Sequence, residues 1–270
     1  MIFKWMTWFS LVVIICVIIL LPTSIKGGIS IINNLTHEYE SSAGNFVEGH
    51  IDIQNNGQND QFVRIYKTDY FFDYLGTVDY GLPGTNKRSN SNWIILNSDY
   101  VTIPAGEILK FRYNIAIPTD SLIGTYWSII MVEAIPEPDT TQQEGLVNIT
   151  SSIRYAIQII TTIENTGTPD LEFINVELLE ENGEKYLQID ILNSGSLFLN
   201  PFLSLDIYND KGEKSGFLKS SKRKIYPGTS IRQKIDLKEI MPGKYQALLV
   251  ADTGFDDVFG INLSMELLTY

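Results

Sequence analysis

Hydrophobic and polar residues alternate along most of this chain. The longest such run is Val147–Ile163, VNITSSIRYAIQIITTI. Val147, Ile149, Ile153, Tyr155, Ile157, Ile159 and Ile163 share its odd phase; Asn148, Thr150, Ser152, Arg154, Gln158 and Thr162 share the even one. A period of two is that of a strand with one wet face. Fully extended, the run would reach about 55 Å, roughly three ordinary strands. Such a strand either serves two sheets or leaves part of its edge unpaired, and an unpaired alternating edge can add a strand from another protein. Ser151–Ser152 is the expected break.

Shorter alternating runs fill the rest: Val47–Ile53, Phe62–Tyr66, Leu109–Ile117, Leu187–Leu192, Phe202–Tyr208 and Tyr245–Val250. Turn triplets punctuate them (NNG, LPG, PAG, NSG, YPG, MPG), and no sustained 3.6-residue period follows residue 28. Regularly spaced short strands with turn clusters predict an all-β fold built from β-sandwiches.

The order of these segments repeats. HIDIQNNG (His50–Gly57) parallels QIDILNSG (Gln188–Gly195). IPAGEILKFRYNI (Ile103–Ile115) parallels IYPGTSIRQKIDL (Ile225–Leu237), and IGTYWSIIMVE (Ile123–Glu133) parallels PGKYQALLVAD (Pro242–Asp252). The sequence therefore predicts two tandem immunoglobulin-like domains, 29–163 and 170–270, joined by a linker at 164–169. The Gly-x-Tyr before the last matched strand resembles the tyrosine corner of such sandwiches.

The copies differ in spacing. Gly57 and Pro104 are 47 positions apart, against 32 for Gly195 and Pro227. The extra length lies around Asp69–Trp93, which carries Tyr70, Phe71, Phe72, Tyr74, Tyr80 and Trp93. Two readings are open. The segment is an aromatic recognition loop on a rigid scaffold, or an extra hairpin whose rings cover a sheet edge or the core.

Composition narrows the function. Hydrophobic residues make up 44% of the 270-residue chain, enough for packed cores, and the formal net charge is −12. That charge argues against nucleic-acid binding and against charge-driven lipid binding. Residues 1–28 place Lys4 before an apolar core, Phe9–Leu21, ending at Pro22. This is the layout of a secretory signal or of a retained N-terminal anchor, and either puts the remainder outside the cytoplasm. The single cysteine, Cys16, falls inside that run, so the rest of the chain relies on core burial.

Catalytic patterns are missing from the sequence. His37 and His50 are the two histidines, and no nucleophile elbow, zinc motif or phosphate loop is present. Asp252, Asp256 and Asp257 form an acidic loop without calcium-loop spacing. We expect no enzyme activity, no cofactor and no metal.

One region resembles a known family. Ile117-Pro-Thr-Asp, then GTYWSIIMVEAIPEP (Gly124–Pro138), a polar loop and EGLVNITSSIRYAIQI (Glu144–Ile159) are similar to the late hairpin of periplasmic pilus-assembly chaperones. The resemblance implies two immunoglobulin-like domains and capture of a surface or fimbrial subunit by an alternating strand. The corresponding partner-binding positions are Val147, Ile149, Ile153, Arg154, Tyr155 and Ile157. Where that family places a basic pair in the inter-domain cleft, this chain offers Arg154 alone in the long strand, and His37 is the nearest substitute in ISIINNLTHEYE. The competing expectation is a surface adhesion or carbohydrate-binding module working through the aromatic segment.

Overall fold

A computed structural model of the chain describes residues 28–136, 152–255 and 258–268. The N-terminal apolar run, Val147, Ile149, Asp256 and Asp257 lie outside them. Strands and turns account for all regular structure among the described residues.

The first sandwich pairs a four-stranded sheet with a five-stranded one. The first sheet has the order β1 (Ile29–Ile31), β3 (Phe46–Asn55), β9 (Ile108–Ala116), β7 (Ile94–Leu96). The second has the order β2 (Thr36–Ser41), β11 (Arg154–Ile163), β10 (Thr125–Ala134), β4 (Gln61–Thr68), β8 (Tyr100–Ile103). The alternation of the sequence maps onto the faces. Ile51 and Ile53 of β3, Val63 and Ile65 of β4, and Ile157 and Ile159 of β11 meet in one core without solvent exposure. Burial contributes about 1.5–3 kcal/mol for each such side chain.

The second sandwich has the orders β12 (Glu172–Glu181), β13 (Glu184–Leu192), β16 (Ser230–Asp236) and β15 (Lys214–Lys219), β14 (Phe202–Asn209), β17 (Gly243–Asp252), β18 (Val258–Leu267). Its core gathers Leu187, Ile189, Leu205, Ile207, Ile231 and Leu249.

The repeated NNG and NSG triplets have one physical cause. Asn55 and Asn193 are both buried at the end of the matched strands. The Asn55 side chain donates to the carbonyls of Asn59 and Ile103 and accepts from the Gly57 N–H at 2.8 Å. Asn193 donates to Leu197 and Ile225 and accepts from Gly195 at 3.0 Å. Each amide thus ties its strand end to the Pro-Gly turn of the later matched segment and satisfies backbone carbonyls that burial would otherwise leave unpaired. The tyrosine corner forms in the second copy, where the Tyr245 hydroxyl donates to the Met241 carbonyl at 2.8 Å. In the first copy Tyr126 is held differently, against Trp93 with ring centroids 4.7 Å apart.

Candidate functional site

Strand β11 is an edge over only part of its length. It pairs with β10 on one side throughout, Glu133 opposite Arg154 and Thr125 opposite Thr162. On its other side β2 runs parallel to it, covering Gln158–Ile163 alone. The hydrogen bonds alternate accordingly. The Ile153 carbonyl accepts from Ala134 and the Ile163 N–H donates to Gly124, so odd residues bond towards β10. Gln158 and Glu164 donate the other way, to Leu35 and Ser41. By that parity the N–H and C=O groups of Arg154 and Ala156 point outward, where no strand among the described residues meets them.

The side chains of this stretch divide. Ile153 is 48% exposed beside the open edge, and Arg154, also exposed, pairs with Glu133 at 2.9 Å. The Tyr155 hydroxyl donates to the Ile29 carbonyl. Ile157 has no exposure and belongs to the core of its own domain. Alternation identifies residues that share a face, and from Ile157 onward that face is internal. Ile157 is therefore a packing residue.

The open edge leads into a cleft between the two sandwiches. Gln158, the first residue covered by β2, accepts a 2.7 Å hydrogen bond from the Tyr226 hydroxyl of the second sandwich. Burial pushes the Tyr226 phenol far above its usual range, which keeps it a neutral donor. The Tyr226 ring stacks on Trp127 at 4.8 Å, and Phe72 and Phe198 pack around it. Beside this cluster lies a cavity of about 450 Å³ whose cations all come from the second sandwich: Arg223, Lys224 and Arg232. Lys224 reaches Glu38 at 2.8 Å, and Arg232 forms two hydrogen bonds to the buried Asp190. Arg223 forms no ion pair among the described residues.

The cleft's positive charge therefore does not come from His37. The His37 Nε2 donates to the Asn34 carbonyl at 2.8 Å, and Nδ1 accepts from the Tyr113 hydroxyl at 2.6 Å. Burial lowers its pKa and the Asn34 carbonyl only partly opposes this. His37 is a neutral residue of β2 that ties this strand to Tyr113 of β9.

The rings of the aromatic segment divide between packed and exposed positions. Its short hairpin, β5 (Phe71–Phe72) with β6 (Val78–Asp79), turns Tyr70 and Phe72 onto Trp127 and Tyr226. The Tyr70 carbonyl accepts from the Trp127 indole N–H at 2.7 Å. Trp93 is buried, Tyr74 lies under the Arg232 guanidinium at 5.5 Å, and Phe71 and Tyr80 are exposed. Asp69 anchors the segment by accepting from the N–H groups of Gly84 and Asn86 and from Ser89. Among the described residues no three metal-ligating side chains converge.

No pattern in the sequence marks Tyr226, Gln158 or Arg223 as site residues. Tyr226 reads as part of a Pro-Gly turn, and Arg223 as one of several cations in KSSKRK.

No protein-family model and no curated protein matches this chain. Among solved structures it is similar to the class 5 fimbriae chaperone CfaA, at 13% identity and TM-score 0.47, covering 90% of this chain and 100% of that one. It is also similar to a chain of the CsuC–CsuE chaperone–tip adhesion subunit complex of archaic Csu pili from Acinetobacter baumannii, at 14% and 0.43, covering 88% and 97%. A third is a chain of the complex of the Salmonella enterica SafA pilin with the SafB chaperone, at 8% and 0.42, covering 89% and 96%.

Proposed function

We propose that this chain is an exported, non-enzymatic assembly factor that captures a protein partner by strand addition. One observation carries the reading: β2 stops short of the start of β11, so Arg154 and Ala156 present outward backbone groups beside the exposed Ile153. Strand addition draws affinity from backbone hydrogen bonds and register from alternate side chains. The partner strand would run along Ile153–Ile157 towards the cleft at Gln158. A surface or fimbrial subunit is the partner class that the late-hairpin resemblance implies, and the N-terminal apolar run supports an extracytoplasmic location.

Ala156→Pro tests this directly. Its N–H faces outward, so proline removes an edge donor without breaking the ladder to β10. Paired with Ile153→Lys, it should abolish recovery of the partner in crosslinking pulldowns from native cells, while circular dichroism and melting stay near wild type. Undiminished recovery by the double variant would refute the reading.

A further inference from the structure

Charge in the second sandwich is separated by edge. Residues 170–184 contain six acids (Asp170, Glu172, Glu177, Glu180, Glu181, Glu184) and no Lys or Arg. Residues 214–234 contain seven cations (Lys214, Lys219, Lys222, Arg223, Lys224, Arg232, Lys234) and no acid. The first segment contains the terminal strand β12, with Glu172, Glu177, Glu180 and Glu181 on it; the second starts with the terminal strand β15 and ends on β16 with Arg232 and Lys234. Each terminal strand pairs on one side only. Because β15 lies beside β16, at the far end of the sheet that begins with β12, the two edges occupy opposite flanks of the domain.

Part of each segment is already paired: Lys234 with Glu181, Arg232 with Asp190, Lys224 with Glu38 and Lys214 with Asp206. Glu172, Glu177 and Glu180 form no ion pair among the described residues, and neither do Lys219, Lys222 and Arg223. Lys219 and Lys222 lie over the Phe202 ring at 5.0 and 6.0 Å. Both edges also expose apolar groups: Ile174 at 41% and Leu178 at 38% on β12, and Phe217 at 48% on β15.

Charges on an edge strand ordinarily prevent sheet-to-sheet association, because identical edges repel. Edges of opposite sign do the reverse. We propose that the partner for these edges is a second copy of this chain. The acidic β12 of one copy docks on the basic β15 and the Ser220–Lys224 turn of the next. Phe217 lies against Ile174 and Leu178, and Lys219, Lys222 and Arg223 face the free glutamates. The two surfaces differ, so the contact is heterologous and propagates head to tail into a ring or an open array. Its basic half borders the cleft through Arg223 and Lys224, while the open stretch of β11, Ile153–Ile157, lies outside it.

The test uses the full-length chain in detergent, followed by analytical ultracentrifugation across concentration and salt. The wild type should self-associate at low salt and dissociate as salt screens the surface charges. The triple variants K219E/K222E/R223E and E172K/E177K/E180K should each weaken association at least roughly tenfold. Mixed in equal amounts, they should restore it, since every edge of one now complements every edge of the other. Circular dichroism checks that both variants are folded. A wild type that stays monomeric, self-association that survives either reversal (as contact through the N-terminal apolar run would), or a mixture that fails to recover would each overturn the proposal.

Discussion

Tyr226 and Trp127 stack face to face across the domain boundary, 4.8 Å apart and tilted by only 9°. Trp127 stands on β10, next to β11, and Tyr226 stands on the turn that Asn193 ties down through its neighbour Ile225. This pair therefore fixes the cleft relative to the open edge. Tyr226→Ala should cost about 3–5 kcal/mol by the scale of buried aromatic truncations, and tryptophan fluorescence should report the loosened boundary. Tyr226→Phe removes only the bond to Gln158. It should cost about 1 kcal/mol in chemical denaturation.

The buried asparagines make a matched pair of predictions. Asn55→Ala and Asn193→Ala each leave buried carbonyls unpaired, so each should destabilise its sandwich by about 1–3 kcal/mol. The sites share no hydrogen-bond partner, so the double variant should equal the sum to within about 0.5 kcal/mol in equilibrium unfolding. A large coupling term would mean that the two sites interact through the domain boundary.

These asparagines also mark how far the sequence could be read. The repeats at Asn55 and Asn193 were visible because one local geometry demands the same residues twice. The faces of β3 and β11 were visible because Ile51, Ile53, Ile157 and Ile159 keep strict phase. Phase alone does not say whether a face meets its own core or a partner, so Ile157 read as a binding residue although it is a core one. The parallel pairing of β2 with β11 joins segments more than a hundred residues apart, and no local signal announces it. For the same reason the cleft's cations were hidden: Arg223 and Arg232 reach it only after the second sandwich packs on the first.

Acid should loosen the first sandwich in two stages. Burial lowers the pKa of His37 below its ordinary 6.5. The unfolded chain then takes up that proton first, so the contribution of His37 is complete above pH 6.5 and is lost as pH falls below it. Burial raises the Asp69 carboxyl, but hydrogen bonds from Asn86, Ser89 and Gly84 outweigh it and hold the group below its ordinary 3.8. Its contribution is present above that value and is lost as pH falls through the lowered pKa. His37→Gln should flatten the first stage of a stability–pH profile, and Asp69→Asn the second. If the wild-type profile is unchanged by either substitution, the named groups are not the ones that titrate.

The domain boundary has a rigid constraint at Gly124, just before β10 and beside Gly167 of the linker. Its φ is +73°, and a Cβ there would sit 2.0 Å from the Ser196 carbonyl oxygen. The neighbouring backbone is already tied across the boundary: Thr125 N–H donates to the Ser196 carbonyl at 2.8 Å, Ser196 N–H to Thr168 at 2.9 Å, and Phe198 N–H to the Thr125 hydroxyl at 2.9 Å. Neither atom can yield without breaking one of these bonds. Gly124→Ala should therefore separate the sandwiches before it unfolds either one. Small-angle scattering should show a larger radius of gyration, and the Trp127 emission should shift to the red as Tyr226 leaves it. Gly106→Ala has a similar φ of +75° but open space around it, so it serves as the control: it carries the left-handed strain, with no effect on the boundary. Equal scattering profiles for the two variants would show that the close approach at Ser196 does not hold the domains together.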